Sequence, residues 1–266
     1  MKSLSFKRAS KNLASINLAV MILAVMALVG GCADTAAERE RSLSEPVRLA
    51  AIKAQQDGDH ATAAGHLQKL RKWHPEDFDI LLALAKNLRY AGSSALAVRL
   101  LESEKENHGT TSGFALELGK ANLASGATDK AIASLEEAVK HSPRNWEPHS
   151  ALGIAHDTKG AYGAAKTEYK MALALSRDNP AVLNNMAISA ALSGDIETAI
   201  KTLKRVASVA RHNPQTRQNL ALFYGIRGDT DKAEALAKMD LDAESVRNNL
   251  AVFLRFRSQK GLKNLN

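Results

Sequence analysis

Apolar and polar positions along this chain return in the same order every 34 residues. Counting each block from Ser44, Phe78, Ser112, Trp146, Pro180 and Pro214, the seventh position holds Ala50, Leu84, Leu118, Leu152, Met186 and Leu220. The twenty-fourth holds Leu67, Leu101, Leu135, Tyr169, Leu203 and Ala237. Within one block the apolar residues recur at helical spacing, which predicts two amphipathic helices whose stripes are buried only by each other and by neighbouring blocks. The eighth position is restricted to Ala51, Ala85, Gly119, Gly153, Ala187 and Ala221, so two helices can approach closely there. Between the two helices stand Gly58, Gly92, Gly126, Gly160, Gly194 and Gly228, each followed five residues later by an alanine. Glycine enters the left-handed conformation that closes a helix at little cost. Only 16 of 266 residues are glycine, so six in one uninterrupted register are not a product of composition.

A helix-turn-helix unit of 34 residues resembles the tetratricopeptide repeat (TPR). That resemblance implies an all-α superhelical solenoid of about six repeats, 44–77, 78–111, 112–145, 146–179, 180–213 and 214–242. Proline belongs at boundaries or in a first helical turn, where its missing N–H is unpaired anyway. Pro75 and Pro143 close second helices, Pro180 and Pro214 stand first in a repeat, Pro46 and Pro148 stand third, and none is expected inside a helix core. At position twenty-seven the small residue survives as Ala138 and Ala172 but becomes Glu104 and Asp240 in repeats two and six, so repeats three and four are expected to be the most regular. Asn219 and the equivalent Asn249 are 30 apart rather than 34, which predicts a shortened second helix in repeat six. A lone capping helix over 243–257 and a basic tail over 258–266 follow; capping helices cover the exposed end of such arrays.

The N-terminus carries a different pattern. Lys2, Lys7, Arg8 and Lys11 precede an unbroken apolar run of 12 residues, Leu18 to Val29, that ends at Gly30-Gly31-Cys32. At ~1.5 Å per residue such a helix reaches roughly 18 Å, short of a ~30 Å hydrocarbon core, so the segment reads as a signal peptide over 1–31. Small residues before a cysteine resemble a bacterial lipobox, which implies lipidation of Cys32; the alternative is an ordinary signal peptide beside an incidental cysteine. Cys32 is the only cysteine, so no intramolecular disulfide competes for it. Two or more acyl chains anchor a protein stably without a spanning helix. Residues 32–43 read as the lipidated cysteine and a flexible polar tether. Ala33 in place of aspartate after Cys32 resembles the outer-membrane sorting pattern. Loss of 1–31 removes four positive charges, so the formal charge falls from +8 to +4.

In a TPR array, positions 2, 5, 6, 9 and 12 of the first helices line the concave face. Toward the C-terminus that face is rich in carboxamides: Asn184 and Asn185, Gln218 and Asn219, then Asn248 and Asn249 in the capping helix. Each carboxamide donates and accepts, which matches the backbone of an extended peptide whatever its side chains. These six residues are candidate peptide-binding groove residues. The competing reading has Asn185, Asn219 and Asn249 tying neighbouring helices together while Asn184, Gln218 and Asn248 are merely solvated. The eight histidines show no metal-ligand spacing, although His149 and His156 lie seven apart on one helix. No phosphate loop, serine elbow or nucleophile beside a base occurs, so no cofactor, metal or enzymatic activity is expected beyond the covalent lipid on Cys32. Aromatic residues are 5% of the chain and are not interleaved with basic stretches, which leaves nucleic-acid binding without support. The tail from Arg255 carries Arg257, Lys260 and Lys263 without an acid.

The stretch 179–194 (NPAVLNNMAISAALSG), with Arg217-Gln-Asn-Leu-Ala-Leu222, Ala233-Glu-Ala-Leu-Ala237, Asn248-Asn-Leu-Ala251 and Leu82 to Gly92, resembles the TadD family, the TPR lipoproteins of tight-adherence (Flp/Tad) pilus assembly. The resemblance implies a non-catalytic scaffold at the periplasmic face of the outer membrane. Its implied partners are proteins of the pilus secretion machinery, with the secretin foremost and a pilotin-like role. Alternative clients are those of a type IVa pilotin or of a barrel-assembly accessory lipoprotein. A further alternative is an adaptor for a periplasmic protease or cell-wall hydrolase.

Overall fold

The computed structural model describes residues 36–109, 111–209 and 213–252, and every regular element among them is a helix. Cys32, the apolar run before it and the basic tail lie outside the described residues. The chain divides between Ile80 and Leu81 into two compact units.

The first unit holds α1 (Ala36–Gln56) and α2 (His60–Trp73), which pack together as a hairpin. Helix α1 corrects two sequence expectations. The segment read as a tether is helical from Ala36, and Pro46 lies inside the helix rather than in its first turn. Ala36-Ala-Glu-Arg-Glu-Arg41 is built of strong helix formers, and its propensity carries the helix upstream of the proline. Asp59 caps α2 by accepting from the Thr62 N–H at 3.0 Å. Arg48 pairs with Asp77 at 3.5 Å.

Helix α3 (Phe78–Tyr90) runs across the division. The second unit continues through α4 (Ser94–Ser103), the four-residue α5 (Lys105–His108), α6 (Ser112–Ala124), α7 (Thr128–His141), α8 (Trp146–Thr158), α9 (Tyr162–Leu175), α10 (Pro180–Leu192), α11 (Ile196–Val209), α12 (Pro214–Arg227) and α13 (Thr230–Ala237). Residues 243–252 form a further helical stretch. From α6 on, each first helix packs against its own second helix and against the second helix of the repeat before it. The core therefore runs from hairpin to hairpin through Leu135, Leu152, Tyr169, Leu183, Leu203 and Leu220, all buried.

All six column glycines take positive φ, between 72° and 107°. At each turn the N–H after the glycine donates to the carbonyl five residues earlier, from Asp59 to Ala54, Ala127 to Asn122, Asp195 to Ala190 and likewise in the others, at 2.8–2.9 Å. One geometry closes every hairpin, which is why the period admits no insertion. The small eighth column has an equally specific cause. A Cβ placed on Gly119 would stand 2.6 Å from Leu135, and one on Gly153 would stand 2.6 Å from the ring of Tyr169. Position eight of the first helix thus receives position twenty-four of the second.

The second helices differ in length. Helices α2, α7, α9 and α11 each have 14 residues, whereas α4 has 10 and α13 has 8. Position twenty-seven separates the two groups: the long helices carry Leu70, Ala138, Ala172 and Val206, all fully buried, and the short ones carry Glu104 and Asp240. A carboxylate is not buried there without a partner, so the helix ends before it. Repeat five, with helices of 13 and 14 residues, equals repeats three and four in regularity.

Candidate functional site: the exposed face of the first helices

In the second unit, successive repeats are joined by polar contacts along their first helices. Arg89 of α3 donates through Nε to Glu117 of α6 at 2.8 Å, with the two side chains 13% and 10% exposed. Burial is the largest single effect and works against the guanidinium charge, but the hydrogen bond and charge of Glu117, with a smaller contribution from Tyr90, together outweigh it and raise Arg89 above its ordinary range. Lys120 of α6 reaches Glu147 of α8 at 3.2 Å. In α8, Asp157 accepts from the Tyr169 hydroxyl at 2.8 Å and from the Ser189 hydroxyl of α10 at 2.6 Å. Burial, and then the hydrogen bond to Asp157, push the Tyr169 phenol well above its usual range.

Three of the six candidate carboxamides, Asn184, Asn185 and Asn219, belong to the same system of joints. Asn219 of α12 donates to Asn184 of α10 at 2.8 Å, and Asn185 of α10 reaches Ser150 of α8 at 3.4 Å. Gln218 donates to Asp240 at 3.0 Å, beside Arg217, whose Nε donates to the same carboxylate at 2.9 Å. The bond from Arg217, followed by that from Gln218, holds the Asp240 carboxyl below its ordinary range against the opposing effect of burial. Asn184 is buried, Asn185, Gln218 and Asn219 are half-buried, and Asn248 is exposed beside the half-buried Asn249. The structure thus brings Asn184 and Asn219 together as one pair across two repeats, and places Asn185 and Gln218 in separate contacts. The position-five amide of repeat five, one of those read as merely solvated in the competing account, is the buried acceptor of the joint.

A second register lies on this face beside the amides. Position nine reads Lys86, Lys120, Ile154, Ile188 and Leu222 in repeats two to six. Ile154 is 38% exposed, and Ile188 and Leu222 are half-buried against the core of repeats five and six. Repeats two and three therefore present paired charges along their first helices, and repeats four to six present a column of aliphatic side chains beside bonded carboxamides. The signal that finds it is the same 34-residue period that locates the glycines. Half-exposed aliphatics at a fixed pitch form a surface of the kind that the apolar side chains of a protein partner can cover.

His149 is buried on α8 with Nδ1 2.8 Å from Glu168 Oε2, while its Nε2 has no hydrogen-bond partner among the described residues. No group of three or more metal-ligating side chains occurs among the described residues. No described helix is long and apolar enough to cross a membrane.

Residues 122–189 match the tetratricopeptide repeat family model, a segment that runs from the end of α6 into α10. No curated protein matches the chain. Among solved structures, a thermophilic TPR protein of Thermus thermophilus superposes with a TM-score of 0.63 at 19% identity, covering 68% of this chain and 98% of that one. PilF of Pseudomonas aeruginosa gives 0.57 at 16% identity, covering 80% and 98%. The Cut9–Hcn1 hetero-tetramer of the APC/C gives 0.57 at 13%, covering 74% of this chain and 36% of that one. The fold is that of a TPR array, and arrays of this kind are generally protein-interaction scaffolds without catalysis of their own.

Proposed function

We propose that this TPR array is an outer-membrane lipoprotein that captures a protein client during Flp/Tad pilus assembly, acting on the secretin in the manner of a pilotin. Lipid on Cys32 sets its location at the periplasmic face, and the first helices of repeats four to six hold the client. The observation that carries the capture reading is the position-nine column of Ile154, Ile188 and Leu222, exposed or half-buried and flanked by Asn185 and Asn219. The pilus context rests on the resemblance to the TadD family carried by stretches within residues 179–251 and by Leu82 to Gly92.

The carboxamides enter this reading as orienting groups rather than as an open ladder. Asn184 and Asn219 already use one bond on each other, so they stiffen the face on which the client lies. Polar groups fixed by neighbours lose little freedom on binding, which favours affinity.

Two changes test the proposal separately. Cells carrying Cys32→Ser lose outer-membrane fractionation of the protein and lose surface pili; normal pili in that strain would count against the anchoring role. The double change Ile188→Glu with Leu222→Glu abolishes co-purification of the secretin while leaving helical content and location intact. Undiminished co-purification would remove the capture role from this face.

A further inference from the structure

The N-terminal end of the array carries an apolar side that no repeat covers. In repeats three, four and six the seventh position, Leu118, Leu152 or Leu220, is 6%, 5% or 5% exposed because the second helix of the preceding repeat packs over it. Helix α1 packs on α2, and among the described residues no helix precedes it. At 3.6 residues per turn, Leu43, Pro46, Leu49 and Ala50 fall within about 120° of its circumference. Leu43 is 52% and Leu49 57% exposed, Pro46 is exposed and Ala50 is half-buried. Lys53 closes this side toward the C-terminus and is already paired with Asp57 at 2.5 Å. Glu45 stands on the flank beyond Leu49, about 160° from Leu43. The terminal repeats of solenoids ordinarily present a polar outer face. An apolar end calls for a cover.

The place of Cys32 states what that cover is. Four residue steps separate Cys32 from Ala36, where α1 begins, a reach of no more than about 14 Å at ~3.6 Å per residue. With lipid on Cys32, the helix starts within that distance of the bilayer surface, and Leu43 lies about 10 Å further along the helix axis. So short a tether makes contact with the bilayer an intramolecular event, for which a few aliphatic side chains suffice. A protein partner on this side would first have to displace the surface to which the chain is tied.

We infer that the bilayer itself caps the N-terminal repeat: α1 lies along the lipid surface with Leu43, Pro46 and Leu49 in the interfacial layer and Glu45 on the hydrated flank. The inference rests on the lipid anchor of the proposed function and is independent of its client.

The test uses the full chain expressed with its N-terminal segment, purified in detergent and reconstituted into vesicles of phosphatidylethanolamine and phosphatidylglycerol. Thioether formation consumes the Cys32 thiol, so a single introduced cysteine takes an environment-sensitive dye alone. The sites are Leu43→Cys, Pro46→Cys and Lys69→Cys, the last at an exposed position of α2. Nitroxide-bearing lipids are expected to quench the dye at 43 and 46 at least threefold more than the dye at 69, and iodide in the buffer is expected to do the reverse. Adding Leu49→Glu to the Pro46→Cys chain lowers lipid quenching at least twofold while the chain stays on the vesicles. Equal lipid quenching at 43, 46 and 69, in a chain whose mass shows the lipid, overturns the docking and leaves the anchor standing. Shielding of 43 and 46 from iodide without lipid quenching assigns this end to a protein and overturns it too. An unmodified Cys32 in the mass spectrum removes the anchor and this inference together.

Discussion

The second helices of repeats two and four have the same place in the period and opposite outcomes. Helix α9 runs unbroken for 14 residues with Ala172 buried at position twenty-seven, while α4 stops after 10 at Ser103 and a separate short turn begins beyond Glu104. Repeat six repeats the lesson with Asp240, which lies in the turn after α13 and bonds Arg217 and Gln218 of α12. One column decides whether a hairpin closes completely. An acid there ends the helix; in repeat six it becomes a clasp on the first helix, and in repeat two a break remains before α5.

The largest test transfers the acid into the regular repeat. Ala172→Glu buries a carboxylate among Tyr169, Ala165 and Val182, and is expected to cost about 3 kcal/mol or more. Thermal denaturation and amide exchange across α9 report it; an unchanged melting temperature would mean that position twenty-seven does not set helix length.

Next in size is a pair of glycine substitutions. Gly153→Ala drives a Cβ to 2.6 Å from Tyr169 and is expected to destabilise by about 1–3 kcal/mol. Gly65→Ala in α2 meets nothing within 4 Å and is expected to stabilise by about 0.5–1 kcal/mol through helix propensity alone. Chemical denaturation of both variants separates close packing from composition.

Repairing repeat two gives the third test. Glu104→Ala with Lys105→Val restores the small and aliphatic residues of repeat three and is expected to fuse α4 with α5. It gains about 0.5–2 kcal/mol. Thermal denaturation reports the gain; an unchanged or lowered melting temperature would mean that the break at Glu104 costs the fold nothing.

The smallest effect is a pH dependence in repeat six. The carboxyl of Asp240 is held below its ordinary range by Arg217, so the folded chain holds its proton less tightly than the unfolded chain does. Stability from this clasp is therefore present above about pH 4, the ordinary aspartate range, and fades as pH falls through the lowered value. Asp240→Asn removes that part of the acid sensitivity, which amide exchange of residues 230–246 at decreasing pH resolves.

The parts of the fold that were legible in the sequence are those fixed by local stereochemistry. Gly58 to Gly228 announce positive φ by their identity and spacing, and the close approach of two helices at position eight follows from its small residues, while its partner at position twenty-four emerges only from the packing. The start of α1 was not legible, because Pro46 reads as a residue of the first helical turn while Ala36 to Arg41 have enough helix propensity to begin the helix well before it. At the candidate site, the carboxamides were visible but their partners were not. Whether Asn184 faces solvent or Asn219 depends on how α10 and α12 are staggered, and no local pattern encodes that. The position-nine column was present in the same register and needed only the question of which face it lines.

Site-specific photocrosslinking in cells tests the central claim most directly. A photoreactive residue at Ile188, on the first-helix face of repeat five, is expected to crosslink to the secretin, while one at Met171, 47% exposed on second helix α9, is expected not to. Secretin crosslinks from Met171 with none from Ile188 would contradict the account.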